Sequence, residues 1–235
     1  MTILEAKNVC KAYGTKKVLN DFSLTLESGR IVGLLGPNGC GKTTFLKLVS
    51  GLLVPNAGEI AVCGTPVSEQ TNRWVSYLPE RSYFTAGMRV RQLLDYFSDF
   101  YEDFDRQKAE QMLLDLQIDR DMPLKSLSKG NKEKVQLVLV MARRARLYLL
   151  DEPIGGVDPA GRDYILKTIV GNYAEDATVL ITTHLIHDIE PVLDEFIFLG
   201  FGGQIVMGGN ADQTREYYGR SLDQLFREVF QCGNY

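Results

Sequence analysis

The chain has 235 residues, 45% of them hydrophobic, which is enough for one sizeable globular unit or for two unequal lobes sharing a core. Its net charge of −4 lacks the basic footprint of nucleic-acid binders, and no nucleic-acid partner is expected. Four cysteines (Cys10, Cys40, Cys63 and Cys232) without C-x-x-C spacing argue against disulfides or structural zinc, and no signal-peptide pattern or membrane-length apolar run is present, so a cytoplasmic protein is expected.

The first informative element is the apolar run Ile31–Leu35, which suits a buried strand. A glycine-rich turn follows, and Leu46, Val49 and Leu52 or Leu53 then recur at helical spacing. The turn reads Gly36, Pro37, Asn38, Gly39, Cys40, Gly41, Lys42, Thr43 and satisfies G-x-x-x-x-G-K-[ST]. Gly36, Gly39 and Gly41 let the backbone curl so that N–H groups converge on a β-phosphate at the positive end of a helix. Lys42 reaches the β- and γ-phosphates, Thr43 offers its hydroxyl to Mg²⁺, and Thr44 adds a donor near the α-phosphate. A chance lysine in a glycine-rich turn would not place a strand and a helix on either side.

Residues up to about Arg81 read as a β-rich nucleotide lobe, residues of about 82–146 as a helical insertion, and the rest as a return to the core. Within the insertion, residues 89–104 and 109–118 carry apolar positions at helical spacing with acidic faces between them. Tyr83, Phe84, Tyr96, Phe97, Phe100 and Tyr101 form an aromatic cluster, most of which core packing explains. In "LSKGN", Leu127 to Asn131, Ser128 reads as a helix cap ahead of a periodic run; by itself this is an ordinary capped helix that could also hold an anion. Arg143, Arg144 and Arg146 read as a solvated helix end. Leu147–Leu150 is a buried strand delivering Asp151 and Glu152, the first placed to hold Mg²⁺ through water and the second to activate an attacking water. The stretch "SLDQLFREVF" reads as a short amphipathic helix near the C-terminus, and His187 as a surface residue.

With "GPNGCGKTT", "SLSKGN", "LYLLDEP", "GGVDP" and "ITTH" in this order, the chain resembles the ATP-binding subunit of an ABC transporter over nearly its whole length. The resemblance implies an α/β P-loop fold of ABC ATPase type: a mostly parallel core sheet, an antiparallel β subdomain and an inserted α-helical subdomain. It also implies roles for further residues. Tyr13 in "KAYG" matches the aromatic that stacks on adenine, Asp158 the loop between two ATP sites, and His184 the switch histidine at the γ-phosphate. In this family two chains pair head to tail, so Ser128 and Gly130 would meet the partner's γ-phosphate. The implied cofactors are ATP and Mg²⁺, and the implied partners are a second ATP-binding chain and a polytopic membrane permease.

Three departures stand out. Lys129 and Asn131 occupy the glycine and glutamine places of the usual signature, and Lys129 is open to two readings, phosphate attraction or a solvent-facing charge. Glu80 stands where a glutamine usually touches Mg²⁺ and water, and the link between "VMARRAR" and "LYLLDEP" is short. The subgroup resembled is that of bacterial subunits pairing with ABC-2-type permeases, usually exporters, in which Tyr83 and Phe84 would line the groove for a permease helix. One rival is a soluble ABC ATPase acting in translation or cofactor assembly. Another is a nucleotide-gated binding module, which the presence of Glu152 disfavours.

Overall fold

The computed structural model describes residues 1–82, 84, 85 and 87–231, so Tyr83 and Cys232 lie outside the described residues. In chain order the elements begin with β1 (Thr2–Tyr13), β2 (Lys16–Glu27), β3 (Ile31–Leu35), α1 (Lys42–Val49), β4 (Ala57–Val62), β5 (Thr65–Pro66) and β6 (Val75–Leu78). Three helices follow, α2 (Val90–Phe100), α3 (Arg106–Asp115) and α4 (Lys129–Met141). The chain then returns to strands with β7 (Leu147–Asp151), α5 (Pro159–Asn172), β8 (Thr178–Thr183), α6 (Ile186–Ile189), β9 (Glu195–Leu199) and β10 (Ile205–Asn210), and closes with α7 (Ala211–Tyr218) and α8 (Leu222–Gln231).

Two sheets result. An antiparallel one has the order β2-β1-β4-β5, and a six-stranded one the order β10-β9-β3-β8-β7-β6, parallel except for β10. Every residue of β3, β7 and β8 is buried, as expected of strands covered on both faces. Their side chains sort by the two-residue period. Val32, Leu34, Leu147, Leu149 and Leu180 join α1 and the antiparallel sheet in one core, while Ile31, Leu35, Leu150, Val179 and Ile181 join α2–α5 and α8 in the other. Fully burying one such side chain, for example Phe45 of α1, stabilises the fold by about 1.5–3 kcal/mol. The expected mostly parallel core with an antiparallel sheet and inserted helices is the fold observed.

Two expectations need correction. Helix α1 stops at Val49, because Gly51 adopts φ 73° and ends it; Leu52 is exposed, and Leu53, beyond the helix, packs against the core from the turn. The second concerns the arginines. Arg144 and Arg146 are exposed, but Arg143 is 3% exposed. Its Nε meets both carboxylate oxygens of Asp103 at 3.0 and 3.2 Å, Nη1 donates to the Val75 carbonyl at 2.7 Å, and Nη2 donates to the Asn72 carbonyl at 2.9 Å. The guanidinium also lies 3.9 Å from the centre of the Tyr101 ring. The reason is topological. Among the described residues β6 is the outer strand of its sheet, and the fork of N–H donors supplies a partner to its Val75 carbonyl and to the Asn72 carbonyl in the turn before it.

The expected amphipathic helix near the C-terminus is α8. Leu222 and Leu225 are buried, and the rings of Phe226 and Phe230 stand 5.3 and 6.2 Å from that of Phe198. Cys10, Cys40 and Cys63 are free thiols. Among the described residues no helix is long and apolar enough to cross a membrane.

Candidate functional site

The phosphate loop joins the C-terminal end of β3 to α1. Gly41 precedes the helix at φ 115° with no side-chain capping bond, which leaves the first-turn N–H groups for an anion. Glycine is required at Gly36, where a Cβ would stand 2.3 Å from the Leu199 carbonyl oxygen and 2.7 Å from Cys40 Sγ. Cys40 itself is buried beneath the loop, and burial pushes its thiol up, so it packs rather than reacts. Lys42 is almost wholly buried and arches over the loop, its ammonium donating to the Gly36 carbonyl at 2.6 Å and to that of Pro37 at 3.3 Å.

β7 brings up the two carboxylates. Asp151 is 1% exposed and braced by hydroxyls: Thr182 at 2.7 Å and Thr43 at 3.0 Å on Oδ1, and Tyr77 at 3.5 Å on Oδ2. Burial pushes its carboxyl up; the Thr182 and Thr43 hydroxyls oppose that, and the charges of Glu152 and Glu80 reinforce it. Burial and the neighbouring Asp151 also push the Tyr77 phenol far up, so Tyr77 remains a donor. Glu152 sits in the left-handed region at φ 51°, held by its amide donating to the Thr182 carbonyl at 2.9 Å. Its Oε2 accepts from the Thr183 hydroxyl at 3.0 Å and lies 3.0 Å from His184 Nδ1.

Among the described residues no group of three or more His, Cys, Asp and Glu is gathered to hold a metal by itself. The Thr43 hydroxyl and the Asp151 and Glu80 carboxylates are hard oxygen donors. That set fits Mg²⁺, which takes one or two carboxylates and completes its shell with water and phosphate oxygens.

These pieces open onto one cleft of about 1010 Å³, at the upper end of the roughly 300–1,000 Å³ range of small-ligand sites. Its floor is the phosphate loop with Thr44, and Tyr13, Glu80, Glu152 and His184 stand in its walls. The Tyr13 ring is half exposed, with the Lys11 ammonium 5.7 Å from its centre. Gly36, Pro37, Cys40 and Asp151 do not line the cleft; they shape it from behind. Nor do Ser128, Gly130 and Asp158. Ser128 caps α4 by accepting from the Asn131 amide at 3.2 Å, and Asp158 caps α5 by accepting from the Gly161 amide at 3.0 Å.

Beside Lys129, the site includes residues that the sequence reading leaves out: Lys132 and Glu133 line the cleft with it from one face of α4, and their i, i+3, i+4 spacing is a usable signal. Lys129 faces the cleft while remaining mostly exposed, 3.8 Å from Glu133 Oε1. Among the described residues Glu133 Oε2 is the one buried side-chain oxygen or nitrogen without a hydrogen-bond partner. Thr182 and Thr183, which brace the two carboxylates, stand directly before His184 at the end of an apolar strand.

The sequence pattern of the ABC transporter family matches residues 19–155. The ABC transporter ATP-binding protein YtrB of Bacillus subtilis is 35% identical over 200 residues, covering 84% of this chain and 68% of that protein. The lipopolysaccharide export system ATP-binding protein LptB of Haemophilus influenzae is 34% identical over 225 residues, covering 91% of this chain and 93% of that protein. A solved structure of the ATP-binding subunit of an ABC transporter superposes with a TM-score of 0.86 at 27% identity, covering 97% of this chain and 99% of that one. With its phosphate loop, its paired carboxylates and these relatives, the chain belongs to the ABC transporter family as an ATP-binding domain.

Proposed function

We propose that this chain hydrolyses ATP to ADP and phosphate as the motor subunit of a membrane exporter. It closes on a second ATP-binding chain around MgATP and drives a polytopic ABC-2-type permease from the cytoplasmic face of the membrane. The observation carrying this reading is the placement of Glu152. Its carboxylate is held by Thr183 and His184 in the wall of the cleft whose floor is the phosphate loop. A carboxylate so placed takes a proton from attacking water, a contribution of roughly 10²–10⁴-fold in rate. Lys42 and the loop amides hold the β- and γ-phosphates and stabilise charge as it moves to the leaving oxygen. His184 orients Glu152 and contacts the γ-phosphate. Thr43, Asp151 and Glu80 would hold Mg²⁺, which neutralises phosphate charge when bound.

Dimer closure draws support from Ser128 and Gly130, which stand at the N-terminal end of α4 and outside their own cleft. In a head-to-tail pair they meet the partner's γ-phosphate, and Asp158 links the two sites. Treating residues of about 82–146 as a helical subdomain of a single ABC domain belongs to the same reading. Export draws support from LptB, whose name assigns it to an export system. On α2 the rings of Tyr96 and Phe100 are exposed and stand 4.3 Å apart, while Phe84 packs toward Phe97, giving an aromatic surface for a permease helix.

The test is to capture the Glu152→Gln chain with MgATP from gently solubilised membranes and identify what co-purifies. A polytopic membrane protein in stoichiometric yield supports the motor reading. Ribosomes or soluble assembly factors with no permease would overturn it in favour of a soluble ABC ATPase.

A further inference from the structure

Helix α4 and the residues just after it run beside β6 and its flanking turns, and polar contacts fasten the two segments. At the far end Arg143 donates to the carbonyls of Asn72 and Val75. In the middle the Ser76 hydroxyl donates to the Val140 carbonyl at 3.0 Å. Nearest the cleft Gln136, 3% exposed, donates from Nε2 to the Pro79 carbonyl at 3.3 Å. The last contact falls on the peptide that leads into Glu80. The Pro79 ring fixes its own φ, the peptide is planar, and the bond to Gln136 fixes the direction of the carbonyl. Little freedom is left before the Glu80 side chain. Among the described residues no strand lies on the outer side of β6, which is held by its ladder with β7 on one side and by these contacts to the α4 segment.

We propose that Gln136 and Arg143 are positioning residues for Glu80: they bolt β6 and its outgoing turn to α4, so that the Glu80 carboxylate and the Ser128 end of α4 are carried as one rigid piece. This rests on the ATPase reading, because it assigns Glu80 to the metal–nucleotide complex. Neither Gln136 nor Arg143 lines the cleft. Their effect is therefore on where Glu80 stands, not on how the phosphate loop grips the nucleotide.

The experiment uses Gln136→Met and Arg143→Lys, each alone and combined with Glu80→Ala. A lysine keeps the charge but loses the fork that reaches Asp103 and two carbonyls together. Three quantities are read: ATP affinity without metal, Mn²⁺ affinity with ATP present by electron paramagnetic resonance, and kcat per folded molecule. Metal-free ATP affinity stays unchanged. Mn²⁺ affinity falls about tenfold, as for a displaced metal ligand, and kcat falls by about tenfold or more, as for a misplaced reacting group. Both losses disappear in the Glu80→Ala background. Unchanged Mn²⁺ affinity and kcat, or equal losses with and without Glu80, would overturn the proposal. Ser76→Ala removes a single hydroxyl and must show the same pattern in smaller degree where a larger change lowers the folded fraction; an unaltered Ser76→Ala chain then counts against it. A wild-type chain that binds MnATP but never turns it over would sink the ATPase reading, and the Mn²⁺ measurement would still decide the placement of Glu80.

Discussion

Replacing Arg143 by methionine keeps an unbranched apolar stem and removes every N–H of the fork. Breaking a buried ion pair by deleting one partner costs about 3–5 kcal/mol. Asp103 is 22% exposed and regains some water, which places this loss near the lower end, about 3 kcal/mol. The Val75 carbonyl then loses a buried partner at 2.7 Å, adding about 1–2 kcal/mol. The total of about 4–5 kcal/mol corresponds to a Tm lower by roughly 8–20 °C in a chain of this size. Arg144→Met is the control: that side chain is 77% exposed, and its pair with Asp105 contributes at most about 1 kcal/mol. Urea unfolding of both variants with matched m values measures the difference. If Arg143→Met and Arg144→Met destabilised equally, the inward guanidinium would not carry the stability assigned to it.

Three further outcomes are expected. Thr183→Val removes one of the two groups on Glu152 Oε2, so kcat should fall about tenfold with ATP affinity unchanged; steady-state kinetics that show no fall would remove Thr183 from the site. Gly36→Ala forces a Cβ toward the Leu199 carbonyl and should abolish saturable ATP binding in equilibrium titration, whereas normal binding would mean the loop relaxes freely. Burial holds the Glu133 carboxyl above its usual value of 4.5, so the folded state binds that proton more tightly than the unfolded one, and the stability this contributes is full below 4.5 and is lost as pH rises from there through the raised folded value. Glu133→Gln should therefore stabilise the chain at neutral pH, with the gain fading below 4.5, and denaturation showing destabilisation at neutral pH would contradict the sign.

What could be read from the sequence was chemistry held in short, local spacing. The run Ile31–Leu35, the glycine loop and the Asp151–Glu152 pair after an apolar strand each declare their geometry within a few residues. The braces around them could not be read that way. Thr43 meets Asp151 across 108 positions, Tyr77 meets it across 74, and Arg143 reaches Val75 across 68. Three arginines within four positions look like a solvated end, because only the sheet order reveals that β6 has an open side for one of them to satisfy. The end of α1 departs from the leucine pattern for a local reason, since the left-handed turn at Gly51 outweighs it. Lys129 is a mixed case. Its side chain is exposed, as the solvent-facing reading expects, and it also lines the cleft, where phosphate attraction is a proposal.

The most direct measurement takes purified Glu152→Gln and wild-type chains with radiolabelled MgATP through size exclusion with light scattering, followed by analysis of the bound nucleotide. Removing the charge of Glu152 should leave the phosphate loop and its Lys42 intact, so the variant should retain unhydrolysed ATP at twice the mass of one chain. The wild type should convert ATP to ADP and return to single chains. Turnover near the wild-type rate in Glu152→Gln would contradict the assignment of Glu152 as the group that activates water.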